Sequence, residues 1–258
     1  MNATPDGHFP GRPSEPIASN LTALRSLVTA SGADVGIAHD GDADRAVFID
    51  EQGQQISGEA SLAALAAAEL DSNSATVAAV NVSQRLVDVC NRVDATLELT
   101  PIGSTNIITK IRELQTADIS VPIAGEGNGG VFFPNFRLVR DGAYIAAKFL
   151  RLICDQPASS IIEPYTEYAN VRTNIEYDSE EGLEALMMSA QEFAEEADVT
   201  PNTVDGYRLD YGDAWVLIRP SGTEPVVRVY TEADKKSRAQ KLADAAANKL
   251  YDAVDDVR

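Results

Sequence analysis

Thr76-Val77-Ala78-Ala79-Val80, Leu86-Val87-Asp88-Val89-Cys90-Asn91-Arg92-Val93 and Thr96-Leu97-Glu98-Leu99-Thr100 read as strand, helix and strand in immediate succession. The outer segments are short apolar or β-branched runs, and the middle one carries its apolar residues at helical spacing. Outward from this core the alternation continues. A helix from about Gly58 through Leu62, Leu65 and Leu70 precedes it, and a helix over 107–114 and a short strand over 121–124 follow. Strands alternating with helices predict a parallel α/β sheet. A glycine-rich turn then leads to a strand over 131–133 and a helix over 141–153 with Tyr144, Ala147, Lys148 and Arg151 at helical spacing.

The flanks read differently. Residues 1–52 run from Pro10-Gly11-Arg12-Pro13 into a helix carrying Leu21, Leu24, Leu27 and Val28, then strands over 35–38 and 46–50. One helix and two strands cannot bury enough apolar surface alone, so this piece is expected to be the end of a domain. Residues 161–258 hold strands over 168–177, 207–211, 214–219 and 226–230. They also hold helices over 183–194 and through Ala239, Leu242, Ala246 and Leu250, a segregated α+β pattern. The expected organisation is therefore 1–52, 53–160 and 161–258, with the linker at 157–164.

The composition is acidic, with 40 Asp and Glu against 21 Lys and Arg and a net charge of -19. A surface of that sign repels nucleic acid and anionic membranes. Spread along the chain, it reads as a solvated acidic surface of the kind found in halophilic cytoplasm, which predicts stability that falls as salt falls. Cys90 and Cys154 lie far apart and outside any CxxC spacing, so neither a disulfide scaffold nor a zinc site is expected. The opening residues lack a signal-peptide pattern and no apolar run reaches membrane-spanning length, so the expected location is cytoplasmic.

Asp40-Gly41-Asp42-Ala43-Asp44-Arg45 is the most informative segment. Extended, it would hold Asp40 and Asp44 roughly 13 Å apart, too far for one ion. The backbone must curl, which Gly41 permits. Curled, each carboxylate pair about 4 Å apart repels by roughly 4 kcal/mol at an effective dielectric of 20. A hard divalent cation such as Mg²⁺ removes that repulsion, and Arg45 would project beside it toward phosphate. The competing readings are an acidic surface turn and a calcium loop, since Asp40, Asp42, Asp44 and Glu51 fall at EF-hand positions 1, 3, 5 and 12. Arg45 stands where that loop needs glycine, and a strand follows instead of a helix.

Gly125-Glu126-Gly127-Asn128-Gly129-Gly130 is the second site, ahead of Arg140-Asp141-Gly142. Its glycines let backbone approach a ligand, and Glu126 and Asn128 can pair with vicinal hydroxyls. The alternative is a turn and nothing more. The third is Arg219-Pro220-Ser221-Gly222-Thr223-Glu224-Pro225 with Arg228. Two hydroxyls, free N–H groups around a glycine and two guanidiniums suit a phosphate, with Glu224 expected to point away. A polar hairpin loop is the alternative here.

In this order the three motifs resemble the α-D-phosphohexomutases, with their DGDxDR metal loop, GE-type sugar loop and RxSGTEP phosphate loop. Pro5-Asp6-Gly7-His8-Phe9-Pro10-Gly11-Arg12 and Pro13-Ser14-Glu15-Pro16 resemble the family's lead-in to the metal loop. The GEGNGG form is most similar to archaeal phosphoglucosamine or phosphomannomutase-like members. The resemblance implies that Asp40, Asp42 and Asp44 hold Mg²⁺ and that Arg45 is the catalytic arginine beside the reacting phosphate. It implies that Glu126 and Asn128, with Ser104 of Gly103-Ser104-Thr105, contact the sugar. Arg219, Ser221, Gly222, Thr223 and Arg228 would hold the distal phosphate. It further implies a hexose phosphate substrate and phosphate exchange between C1 and C6 through a hexose 1,6-bisphosphate.

The family's phosphate-carrying serine sits in a Thr-Ala-Ser-His-Asn-Pro-like stretch, which does not occur in these 258 residues; Thr29-Ala30-Ser31 lacks the His-Asn-Pro. The expectation is a chain incompetent alone and served by a separate chain or a missing segment that carries the phosphoserine domain. Two other readings remain open, a non-catalytic phosphosugar-binding module and a calcium-binding loop protein. His8 and His39 have no partner at nucleophile or metal spacing and are expected to be structural.

Overall fold

The computed structural model describes residues 1–2, 4, 6–165 and 168–255. Pro5, in the lead-in segment singled out above, lies outside the described residues. The chain divides into two compact units, Met1–Glu98 with Gly103–Thr166, and Leu99–Ile102 with Glu167–Arg258.

In the first unit, helix α1 (Thr22–Ser31) ends at Gly32, whose φ of 66° is the left-handed conformation that closes helices cheaply. Strands β1 (Val35–His39), β2 (Ala46–Asp50) and β3 (Gln55–Ile56) form an antiparallel sheet in that order. The register pairs Val35 with Asp50 and His39 with Ala46. Residues 40–45 are therefore the tip of a hairpin. All five residues of β2 are buried. Val47 and Ile49 pack with Leu21, Val28 and Ala38, while Phe48 stacks on Phe149 at 3.9 Å between ring centroids. Strand β3, only two residues long, was not foreseen.

Helix α2 (Gly58–Glu69), strand β4 (Ala75–Ala79), helix α3 (Gln84–Val93), strand β5 (Thr96–Thr100) and helix α4 (Ser104–Thr116) follow. Ser57 and Ser83 cap α2 and α3 by accepting the N–H of Ala60 and Arg85. Strands β6 (Ala124–Gly125) and β7 (Val131–Phe132) complete a sheet of order β5-β4-β6-β7. β4 and β6 run parallel and β6 and β7 antiparallel, so the predicted parallel sheet closes with an antiparallel turn. Of the strand expected over 121–124 only Ala124 lies in β6, whose second residue, Gly125, opens the glycine loop. Helix α5 (Gly142–Leu152) is capped by Asp141, whose Oδ1 accepts the Tyr144 N–H at 3.1 Å. The expected linker at 157–164 is ordered instead, with helix α6 (Ala158–Ile162) running into a 3-10 turn.

The second unit is the α+β arrangement expected. Strands β8 (Ala169–Glu176), β9 (Tyr207–Asp210), β10 (Ala214–Pro220) and β11 (Val226–Ala233) form an antiparallel sheet of order β8-β11-β10-β9. Helices α7 (Glu180–Glu195) and α8 (Lys236–Asp255) pack on it. Leu186, Ala190, Ala246 and Leu250 meet Ile175, Val216, Ile218, Val227 and Val229. The Ser189 hydroxyl ties the helices together by donating to the Lys249 carbonyl at 2.8 Å. Residues 221–225 form the β10–β11 connection, so the third motif is also a hairpin tip.

Candidate active site

The hairpin tip at 40–45 curls because several groups share its backbone. The Asp40 carbonyl accepts the Ala43 N–H at 3.3 Å, and Asp40 Oδ1 accepts the Arg45 N–H at 3.1 Å. Gly41 is not the residue that bends. Ala43 takes the left-handed conformation with φ 56°, at a cost on the order of 1–3 kcal/mol. What holds it is outside the loop: Gly142 N–H donates to the Ala43 carbonyl at 3.0 Å, and His39 Nδ1 donates to the Arg45 carbonyl at 2.8 Å. A Cβ at Gly142 would stand 2.6 Å from both carbonyls and from the His39 ring, so only glycine fits there.

The curl brings one carboxylate oxygen each of Asp40, Asp42 and Asp44 within 4.8 Å of one another. Asp44 Oδ1 is buried and makes no hydrogen bond, and Arg45 Nε stands 3.8 Å away. Burial pushes the Asp44 carboxyl above its ordinary value; Arg140 pulls it down, and Asp40 and Asp42 add to the rise. A buried acceptor facing two further carboxylates fits a hard divalent cation with oxygen ligands. Glu51, which a calcium loop would need as its twelfth residue, is spent elsewhere. It accepts the Ser159 hydroxyl and, at 3.2 Å, the Ser159 N–H. Burial alone would raise its carboxyl, but these bonds bring it below its ordinary value.

The glycine loop at 125–130 lies against this hairpin. Ala46 N–H donates to the Gly129 carbonyl at 3.1 Å. Gly129, at φ 91°, could carry no Cβ without meeting the Ala46 carbonyl at 2.7 Å. Asn128 Oδ1 accepts the Gly130 N–H at 3.0 Å, and the residue is exposed. Arg140 joins the two loops. Its Nε donates to Asp44 Oδ2 at 2.9 Å, Nη2 donates to the same oxygen, and Nη1 donates to Glu126 Oε2 at 2.6 Å. Arg45 meets Glu15 through Nη1 at 2.7 Å, while its Nε lies 3.1 Å from Asp40 Oδ2 without the alignment of a hydrogen bond. Ser104 is the first residue of α4, after Gly103 at φ 128°.

In the second unit, Ser221 shapes its loop. Its hydroxyl accepts the Thr223 and Glu224 N–H groups at 3.4 and 3.3 Å, leaving Gly222 and Thr223 exposed at the tip. Glu224 does not point away as expected: it accepts from Arg228 Nη2. Two guanidiniums facing each other across the ladder need counter-anions, and Glu224 supplies one. Asp205 supplies the other, with its Oδ2 3.1 Å from Arg219 Nε. Even so, the Nε atoms of Arg219 and Arg228 are buried without a hydrogen bond.

Two hairpin tips carrying carboxylates and arginines, with a glycine loop beside the first, are set on an α/β scaffold. Residues 1–53 match domain II of phosphoglucomutase/phosphomannomutase, 57–168 the alpha/beta/alpha domain III, and 174–249 the C-terminal domain. The chain belongs to the phosphoglucomutase/phosphomannomutase family, within the α-D-phosphohexomutases.

It is 36% identical over 258 residues to a "Phosphoglucomutase/phosphomannomutase" of Thermococcus kodakarensis, covering 98% of this chain and 55% of that protein. It is also 36% identical over 262 residues to a "Probable phosphoglucosamine mutase" of Methanopyrus kandleri, covering 100% of this chain and 57% of that one. The chain thus spans about half the length of the curated relatives it matches. A solved phosphoglucomutase/phosphomannomutase family protein from Burkholderia thailandensis shares the fold at TM-score 0.80 and 24% identity, over 96% of this chain and 53% of that one. The N-acetylphosphoglucosamine mutase of Aspergillus fumigatus, solved with GlcNAc-6P and magnesium, shares it at TM-score 0.55 and 20% identity, over 84% and 48%.

Among the described residues no helix is long and apolar enough to cross a membrane.

Proposed function

We propose that this chain is the cation-, sugar- and phosphate-binding part of a phosphohexomutase, organised as family domains at 1–52, 53–160 and 161–258 and working in the cytoplasm on a hexose phosphate. The observation that carries this is the state of three arginines. Arg45, Arg219 and Arg228 each keep a buried Nε–H without a hydrogen-bond acceptor. Carboxylates of Asp40 and Asp205 stand 3.1 Å from the first two without hydrogen-bond alignment, and a phosphate oxygen supplies an aligned acceptor through a charge-assisted bond.

In this reading Asp40, Asp42 and Asp44 would hold Mg²⁺, whose charge would offset that of the reacting phosphate. Arg45, the catalytic arginine, orients that phosphate. Glu126 and Asn128 take sugar hydroxyls, with Ser104 at the start of α4 adding a third contact. Arg219, Ser221, Gly222, Thr223 and Arg228 grip the phosphate that is not reacting. The reaction is transfer of a phosphoryl group to the free hydroxyl of the sugar, forming a hexose 1,6-bisphosphate, followed by return of the other phosphoryl group. These 258 residues hold no Thr-Ala-Ser-His-Asn-Pro segment. The serine that gives and regains the phosphoryl group therefore comes from further polypeptide, in a separate chain or as a segment joined to this one.

The test is turnover followed by ³¹P NMR, with Mg²⁺, glucose 1,6-bisphosphate and a hexose 1-phosphate. The expected result is no 6-phosphate from this chain alone, and formation of it when a polypeptide carrying a Thr-Ala-Ser-His-Asn-Pro segment is supplied. Sustained turnover by the 258 residues alone would overturn the proposal.

A further inference from the structure

Arg140 joins a carboxylate of the hairpin tip to a carboxylate of the glycine loop. Its position explains two otherwise separate features. Asp44 is hydrogen-bonded through Oδ2 alone, which leaves Oδ1 buried and without a hydrogen bond. Glu126 is held by Oε2 alone, which leaves Oε1 to accept from a ligand hydroxyl. The packing around the arginine is tight, because a Cβ at Gly130 would stand 2.7 Å from Arg140 Cδ and 3.0 Å from Nη1. The side chain is only 16% exposed. A guanidinium is a rigid planar fork, so rotating it to suit one carboxylate moves the donor facing the other.

We infer that Arg140 is a positioning residue that couples cation binding at Asp44 to sugar binding at Glu126, so that each ligand tightens the other. This rests on the reading of the two loops given above. With a cation held by Asp44, the carboxylate would be restricted, the carboxylate would fix the fork, and the fork would fix Glu126. By linkage, a sugar hydroxyl on Glu126 must strengthen cation binding by the same factor.

The test is calorimetry on the full chain. The Mg²⁺ dissociation constant is measured with and without a saturating hexose 6-phosphate, using whichever of the glucose, mannose and glucosamine compounds binds tightest, and then reciprocally. The expected factor is about fivefold or more, equal in both directions. In Arg140→Gln, and in Arg140→Lys, which keeps the charge but not the fork, the factor falls to near one while each ligand still binds. Arg151→Gln, which removes a positive charge from an exposed position on α5, leaves the factor unchanged. A structural role for Arg140 would lower the melting temperature without touching the factor. Independent binding of the two ligands to the native chain overturns the coupling and leaves the functional reading intact, as does a factor that survives in both Arg140 variants. Absence of hexose phosphate binding at millimolar concentration overturns the functional reading, and the coupling with it.

Discussion

Arg219 and Arg228 stand directly opposite each other across the β10–β11 ladder, just below the loop that joins the strands. Like charges in that relation destabilise a sheet, and Asp205 and Glu224 offset them. Glu224, 57% exposed, is the weaker clamp and the one a phosphate would displace. Glu224→Gln is therefore predicted to raise affinity for inorganic phosphate severalfold, since an exposed pair is worth about 0–1 kcal/mol. It should also lower the melting temperature in phosphate-free buffer, and added phosphate should restore it. Calorimetry and thermal denaturation of the one variant read both effects.

Asp44→Asn should weaken Mg²⁺ binding tenfold or more, equivalent to at least about 1.4 kcal/mol. The substitution removes one of the three negative charges of the triad, and titration calorimetry reads the change. Asp42→Asn should weaken it with little effect on melting, because Asp42 is exposed and supports no other residue by any bond described above.

The two thiols should separate sharply. Cys154 is exposed and Cys90 is buried, with burial pushing its thiol up to about 11. A thiol reagent at pH 8 should modify Cys154 within minutes and Cys90 only on unfolding, which mass spectrometry resolves. Because the folded pKa of Cys90 lies above its ordinary value of 9.0, its contribution to stability is fully present below pH 9. That contribution is lost as the pH rises toward 11, and Cys90→Ala should flatten this part of the melting profile.

A net charge of -19 makes self-repulsion a standing cost of the compact state. Melting temperature should rise as salt is raised from tens of millimolar toward molar concentration, where the Debye length shrinks to about 3 Å. A profile indifferent to salt would remove the halophilic reading of the surface.

The parts of the fold and site written locally in the chain were readable from it. The strand-helix alternation through 58–124 and the three loop motifs depend on neighbours a few residues apart. What could not be read depends on partners distant in sequence. Gly41 looked like the bend, yet Ala43 takes the left-handed conformation because Gly142, ninety-nine positions on, holds its carbonyl (142 − 43). Arg140 and Asp205 carry no motif of their own and matter only through Asp44, Glu126 and Arg219. The signal that was available for Arg140 was its place directly before Asp141-Gly142, the N-cap and first residue of α5. The 157–164 segment looked like a linker because its Pro and Ser content hides the bond from Glu51 that starts α6.

The central claim is that this chain binds hexose phosphate through paired arginines and a cation, and the most direct measurement is ligand titration of the native chain beside Arg219→Ala. With Mg²⁺ present, a hexose 6-phosphate should bind the native chain with a submillimolar dissociation constant, about −4.1 kcal/mol or better. Arg219→Ala should weaken that binding at least tenfold while the chain still melts cooperatively. No binding by the native chain at millimolar hexose phosphate, or equal binding by Arg219→Ala, would contradict the account.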